Sequence, residues 1–260
     1  VTVGDLQVSP GQIPLISQPT LVSGFGFSWV RDRRDNPADA TRGNFNNADL
    51  SIAGKPLGSS ANFVRLSLQN STYQPIRRRF AFARSIRFGV QSPIGNTLST
   101  EIPLPERFFA GGGNSLRGFG LNQAGPRDPL TGFPVGGQAL LVFNQELRFP
   151  MRLPFVGNRL GGALFYDAGN VFSRLAHITL RPSPSGIAQA SGDLNYFSHT
   201  IGFGFRYGTP IGPVRVDLGY QLNPAQFFAC PTNNPKCTSG QQQLFRLPRF
   251  QFFFNLGAIF

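Results

Sequence analysis

The chain has 260 residues, with 31 Gly, 22 Pro, 27 Phe and one Trp, and a formal net charge of +12. No run approaches the ~20 consecutive apolar residues of a membrane helix, which excludes helical spans but not spans made of alternating strands. A basic chain raises nucleic acid as a partner. Here the arginines lie inside alternating strands or in short turns and no helix with a basic face can be drawn, so no nucleic acid is expected.

Val1–Val8 reads as the tail of a strand and Ser9–Thr20, with three prolines, as a loop. Leu21–Val30 alternates: Phe25, Phe27 and Trp29 share one face, Gly24, Gly26 and Ser28 the other. Period two with large apolar residues opposite small or polar ones marks a strand between two different environments. Arg31–Gly43 is a charged turn, Asn44–Ala53 a weaker strand, and Gly54–Ala61 a short loop. Asn62–Thr72 sets Val64, Leu66 and Leu68 against Arg65, Ser67 and Gln69. The turn Tyr73–Arg79 follows, ending in three arginines. In Phe80–Val90, Phe80, Phe82, Ile86 and Phe88 form an apolar face that Arg84 interrupts. A bulge or a side chain snorkelling to a headgroup would each account for it.

Ser92–Val135 is a long loop. Gln138–Phe149 is a strand with Asn144, Glu146 and Arg148 on its polar face, and Leu160–Phe172 one with Asp167 on the face of Ala163 and Phe165. Pro150–Arg159 is a turn between them and Ser173–Leu194 a Ser/Pro/Gly-rich loop after them. Tyr196–Gly208, Val214–Gln221 and the terminal FQFFFNLGAIF alternate again. The last puts Phe250, Phe252, Phe254, Leu256, Ala258 and Phe260 on one face. The loop Leu222–Arg249 carries Cys230 and Cys237 in a Pro/Asn-rich segment. A local disulfide is expected there, with free thiols the alternative. Zinc would need two more ligands, and the only histidines, His177 and His199, are remote in sequence. No metal and no cofactor are expected.

The chain thus reads as all-β. The connections Arg31–Gly43, Tyr73–Arg79, Pro150–Arg159 and Thr209–Pro213 are turns, whereas three of the four at the other end are long. A soluble sandwich would carry modest loops at both ends. The asymmetry fits a transmembrane antiparallel β-barrel with short turns on one side and long loops on the other. Trp29, Tyr73, Phe149, Tyr207 and Tyr220, near strand ends, suit interfacial girdles. Nine strands and a partial first one leave an edge unpaired, so N-terminal strands are expected to be missing from this sequence.

The segment Glu106–Gly120, ERFFAGGGNSLRGFG, is too glycine-rich for a strand and presents one arginine, Arg117, on a tight loop. No G-x-S-x-G elbow exists, and Asp193, His177, His199 and the serines fall in different loops and strands, so no enzyme is expected. Arg31, Arg33, Arg34 and Arg77–Arg79 are read as a solvated or headgroup-facing rim.

FFAGGGNSLRGF resembles the signature loop of the BamA/TamA superfamily of outer-membrane assembly proteins, written V/I-R-G-F/Y, with Leu116 at the first position followed by Arg117, Gly118 and Phe119. RDNPADATRG (Arg34–Gly43), GGQALLVFNQELRFP (Gly136–Pro150), FYDAGNVF (Phe165–Phe172), IGPVRVDLGY (Ile211–Tyr220) and the aromatic C-terminus are similar to that family as well. The resemblance implies the C-terminal nine to ten strands of a sixteen-strand barrel in the bacterial outer membrane, without its preceding POTRA domains. It implies that Arg117 enters the lumen and meets Glu146 and Asp167 on the wall. A guanidinium can bridge two carboxylates directionally, and such a bond would pin a loop that is otherwise entropically costly. The resemblance further implies a last strand (Phe250, Phe252, Phe254, Leu256, Phe260) that forms a gate at a weak seam. The implied function is folding and insertion of β-barrel proteins, with unfolded outer-membrane proteins, lipids and accessory lipoproteins as partners. A TamA-like or two-partner-secretion translocator, or a passive pore or barrel anchor, is the alternative.

Overall fold

Alternation of side chains at period two builds one large sheet. A computed structural model describes residues 20–77, 80–151, 159–184, 186, 192–210, 212–231, 237–238 and 240–257. Among the described residues there are eleven strands: β1 (Gly24–Asp32), β2 (Gly43–Ala53), β3 (Phe63–Arg77), β4 (Phe80–Pro93), β5 (Ala139–Pro150), β6 (Leu160–Phe172), β7 (Ser198–Thr209), β8 (Gly212–Gln221), β9 (Gln226–Ala229), β10 (Gln243–Arg246) and β11 (Phe250–Leu256). Nine of them form a meander in the order β1-β2-β3-β4-β5-β6-β7-β8-β11, and β9 and β10 form a separate ribbon. All pairings are antiparallel. No helix of the described residues is long and apolar enough to cross a membrane.

The two faces of this sheet differ. On the outward face of β11, Phe250, Phe252, Phe254 and Leu256 are 56–69% exposed. Burying each such side chain is worth ~1.5–3 kcal/mol, so this face calls for an apolar environment. Trp29, Phe149, Tyr207 and Tyr220 also lie on outward strand positions. At the short-turn end the rings of Phe80, Phe149, Phe203 and Phe205 follow one another across β4, β5 and β7 at centroid distances of 6.4, 6.3 and 4.8 Å. Tyr73 does not join that belt. It is 2% exposed, on the inward face, and packs with Ala40 and Ala83.

Three further expectations change. The turn placed at Tyr73–Arg79 is mostly strand, because β3 runs on to Arg77 through a register shift between Pro75 and Arg77. A proline can occupy such an irregularity, where the ladder does not need its missing N–H. Arg84 sits in unbroken register opposite Thr72 and Gln145, so no bulge accounts for it. The loop Leu222–Arg249 is not featureless, since it contains the β9–β10 ribbon. Cys230 and Cys237 are joined by a disulfide. The strand tail placed at residues 1–8, the remaining loop residues before Thr20, Arg78, Arg79, Ala258 and Phe260 lie outside the described residues.

The inward face is polar along the strands and is covered by the β4–β5 connection, residues 94–138. Near the long-loop end, Phe108, Leu116 and Phe119 of this connection pack with Val142, Tyr196 and Phe227 in the largest buried cluster. At the opposite end the β1–β2 turn folds inward. Ala40 is fully buried, and a Cβ built on Gly212 at the start of β8 would lie 3.9 Å from Ala38. The sheet therefore curls around a filled interior.

Candidate functional site

The site is the tip of the β4–β5 connection and the wall it meets. The glycine run shapes the tip: Gly111 and Gly112 have φ of +114° and +98°, values that a side chain would strain. The Gly112 amide donates to the Phe119 carbonyl at 2.9 Å and the Phe119 amide to the Leu116 carbonyl at 3.1 Å, closing a tight turn. Leu116 and Phe119 enter the apolar cluster on one side. Arg117, fully buried, points the other way, into the wall.

Arg117 makes four hydrogen bonds to two carboxylates. Its Nε and Nη2 donate to Asp167 Oδ2 and Oδ1 at 2.7 and 2.8 Å, its backbone amide also donates to Asp167 Oδ2 at 3.1 Å, and its Nη1 donates to Glu146 Oε2 at 2.9 Å. The guanidinium also lies 3.4 Å from the ring centroid of Phe165. Burial opposes the charge on Arg117, but the neighbouring Asp167 and Glu146 carboxylates outweigh it and raise its pKa above the ordinary arginine value. A fork of fixed donors aimed at two buried acids is the arrangement in which arginine is strongest.

The sequence-derived set of one arginine and two acids is smaller than the actual network. Glu146 Oε1 also accepts from Arg148 Nε at 2.8 Å and from Arg206 Nη2. Asn144 Nδ2 donates to Asp167 Oδ1 at 2.9 Å and to the Ser115 carbonyl at 2.6 Å. Arg148 Nη1 donates to the Ala40 carbonyl of the β1–β2 turn at 2.6 Å. Arg215 approaches Asp217 at 3.5 Å and donates to Asn114 Oδ1 at 2.6 Å, while Arg87 donates to Ser115 Oγ at 3.0 Å. Parity along each strand places Arg148, Arg206, Arg215 and Asp217 on the polar face, the one signal in the sequence that could have found them.

The tip touches six consecutive strands of the sheet. Ser115 meets Arg87 of β4, and Arg117 meets Glu146 of β5 and Asp167 of β6. A Cβ on Gly118 would collide with Thr200 of β7, and one on Gly219 of β8 would collide with the Arg117 carbonyl. A Cβ on Gly113 would collide with Asn255 of β11. The motif glycines thus allow the backbone to lie directly on the wall. Phe250, Phe252, Phe254 and Leu256 point away from the tip, on the outer side of β11.

Ser173, His177 and Asp193, treated in the sequence as scattered, are in fact together. His177 Nδ1 lies 2.6 Å from Ser173 Oγ and 3.1 Å from Asp193 Oδ2. One and the same ring nitrogen faces both groups, whereas a nucleophile–base–acid relay uses opposite nitrogens. The cluster ties the ends of one loop together. The disulfide lies beside the β9–β10 ribbon, which packs against residues 127–132 of the same connection: the Arg127 guanidinium lies 4.4 Å from the ring centroid of Phe227, and the Cys230 amide donates to the Leu130 carbonyl at 2.7 Å. Burial lowers the pKa of Arg127 to about 10.

A meandering antiparallel sheet that is apolar outside and polar inside, with a connection pinned to its inner wall, is the wall of an outer-membrane barrel of the kind that carries an internal loop, here open between β1 and β11 among the described residues. Residues 15–260 match the Omp85 superfamily domain. The chain belongs to the Omp85 superfamily. A SAM50-like protein of Schizosaccharomyces pombe is 27% identical over 206 residues, covering 78% of this chain and 40% of the relative. The outer membrane protein assembly factor BamA of Nitratidesulfovibrio vulgaris is 23% identical over 198 residues, covering 75% and 22%. That of Neisseria meningitidis is 25% identical over 207 residues, covering 75% and 26%. The chain therefore spans well under half the length of these relatives. A crystal structure of BamA from Haemophilus ducreyi lacking POTRA domains 1–3 superposes with a TM-score of 0.61 at 20% identity, over 87% of this chain and 41% of that one.

Proposed function

We propose that this chain is barrel wall and internal loop of an outer-membrane protein assembly factor, which folds and inserts β-barrel clients. The observation that carries the reading is the reach of the loop tip. One buried arginine and its neighbouring residues bond to four strands and touch six adjacent ones, ending at β11, which is the edge of the sheet among the described residues. An edge strand with free N–H and C=O groups can template an incoming strand by augmentation. A wall fixed from inside keeps its register while the edge exchanges partners. The matched relatives include two named outer membrane protein assembly factors, which supports the same activity here.

The work is non-covalent: strand pairing and apolar burial supply the free energy, without catalysis or a cofactor. Clients are unfolded outer-membrane proteins, with membrane lipids and accessory lipoproteins as further partners. Relatives from bacteria and from a eukaryote match alike, so the compartment proposed is an outer membrane in general, of bacterial type where the BamA likeness prevails. A passive pore fits poorly with an interior filled by residues 94–138. The test is to reconstitute the whole protein in vesicles and follow the appearance of protease-resistant folded client. Client folding faster than in bare vesicles is expected. A rate equal to that of bare vesicles, with the assembly factor itself folded, would overturn the proposal, and steady ionic conductance in that case would point to a pore.

A further inference from the structure

Arg84 is charged, exposed and on the outward face of β4, with Phe82 and Ile86 on either side of it along the strand. It is not alone. Following the register outward-facing residue by outward-facing residue, Asn44 lies opposite Thr72, Thr72 opposite Arg84, Arg84 opposite Gln145, and Gln145 opposite Tyr166. A polar row thus crosses five strands of a face that is otherwise apolar on β4 and β5, where Phe82 and Leu147 lie on one side of it and Ile86 and Phe143 on the other. Toward β2 and β3 the row opens into Asn46 and Asn70, which are hydrogen-bonded to each other at 2.6 Å.

On β4 and β5 the row, Arg84 with Gln145, lies within the apolar band. Phe80, in the aromatic belt, is four positions nearer the short-turn end, which is about 13 Å along a strand rising ~3.3 Å per residue. At the ~35–45° tilt of membrane strands this is about 10 Å of depth. Arg84 Nε donates to Thr72 Oγ1 at 2.7 Å. Among the described residues that is its one polar contact, and no carboxylate pairs with it. An arginine facing lipid without a counter-ion of its own chain must draw a polar group to itself. The remaining donors of the guanidinium, with Gln145 beside it, match one phosphodiester.

We infer that Arg84, Thr72 and Gln145 form a phospholipid-phosphate site on the outer wall, drawing a headgroup inward from the short-turn side. The site lies on β3–β5, four strands away from the β11 edge in the sheet order. Its occupation would thin the bilayer locally at a place distinct from that edge. The inference rests on the reading that the outward face meets lipid.

The experiment uses the whole protein reconstituted in vesicles of equal phosphatidylethanolamine and phosphatidylglycerol, extracted into phosphorus-free detergent. Phospholipid retained per protein is then counted by native mass spectrometry. One phospholipid is expected to persist on the wild type and to fall about five-fold in Arg84→Gln, consistent with the strength of one basic residue at a membrane surface. Arg84→Lys should keep part of it, and excess inorganic phosphate should not displace it. Equal retention in wild type and Arg84→Gln would overturn the site, and displacement by inorganic phosphate would overturn the lipid assignment. A tryptophan placed at outward Phe88 (F88W) separates the two readings. Quenching by lipids with brominated chains keeps the lipid-facing wall even when the Arg84 site fails, whereas no quenching would sink both.

Discussion

Replacing Arg117 by alanine removes the bond that holds the loop to the wall, and the structure indicates where the cost falls. Glu146 would still accept from Arg148 and Arg206. Asp167 would keep only the Asn144 side-chain amide and, while the loop stays docked, the backbone amide of residue 117, as a fully buried carboxylate with its guanidinium gone. Removing one partner of a buried ion pair costs ~3–5 kcal/mol, because the other charge is left uncompensated. Each ~1.4 kcal/mol is a factor of ten, so the population with the loop undocked should rise by roughly 10²- to 4 × 10³-fold. Asp167→Ala in the same background should recover part of this, since it removes the stranded charge, whereas Glu146→Ala should not. Arg117→Lys should fall between, because a point charge cannot grip both acids as a fork does. The assay is the rate of trypsin cleavage at Arg127, buried in the docked loop, in the folded whole protein. When opening is fast relative to cleavage this rate follows the open population. Cleavage and client folding both unchanged in Arg117→Ala would refute the reasoning.

Gly219→Ala, which sets a methyl against the Arg117 carbonyl, should displace the tip and raise cleavage at Arg127 in the same assay, at a cost of ~1–3 kcal/mol for overpacking. Reducing the Cys230–Cys237 disulfide, which closes a sequence separation of 7, should cost ~2.5 kcal/mol by the loop-entropy relation. Hydrogen exchange should then quicken in β9 and β10 while the Arg117 amide stays protected. In the β1–β2 turn, Asp35 is partly desolvated, which raises its pKa. The hydroxyl of Thr41 and the amides of Thr41, Arg42 and Asn36 more than offset this and hold it below the ordinary carboxylate value. Its contribution is therefore complete above the unfolded value of about 3.9 and is lost as pH falls through the lower folded value. Exchange of the Thr41 and Arg42 amides should accelerate only in that acid window, and Asp35→Asn should remove the dependence.

The order of strands, the alternation of short and long connections and the apolar faces were legible from period two, because a strand buries alternate side chains whatever its neighbours are. The same parity placed Glu146, Arg148, Asp167, Arg206, Arg215 and Asp217 on polar faces. Pairings were not legible. Whether Tyr73 ends a strand or continues it depends on an irregularity at Pro75 that local propensity does not report. That Tyr73 faces inward follows from the register of β3 on β2 and β4. Ser173, His177 and Asp193 meet because a loop returns on itself, which sequence distance hides.

By itself the sequence determined an all-β chain with one glycine-hinged arginine loop, since conformational freedom and alternation are local properties. Tertiary structure alone decided that Glu146 serves three arginines, that the β1–β2 turn supplies Ala40 to hold Arg148, and that Arg84 stands in a polar row across five strands. Each depends on which strand lies beside which and in what register, and a one-residue slip would turn every one of those side chains to the opposite face.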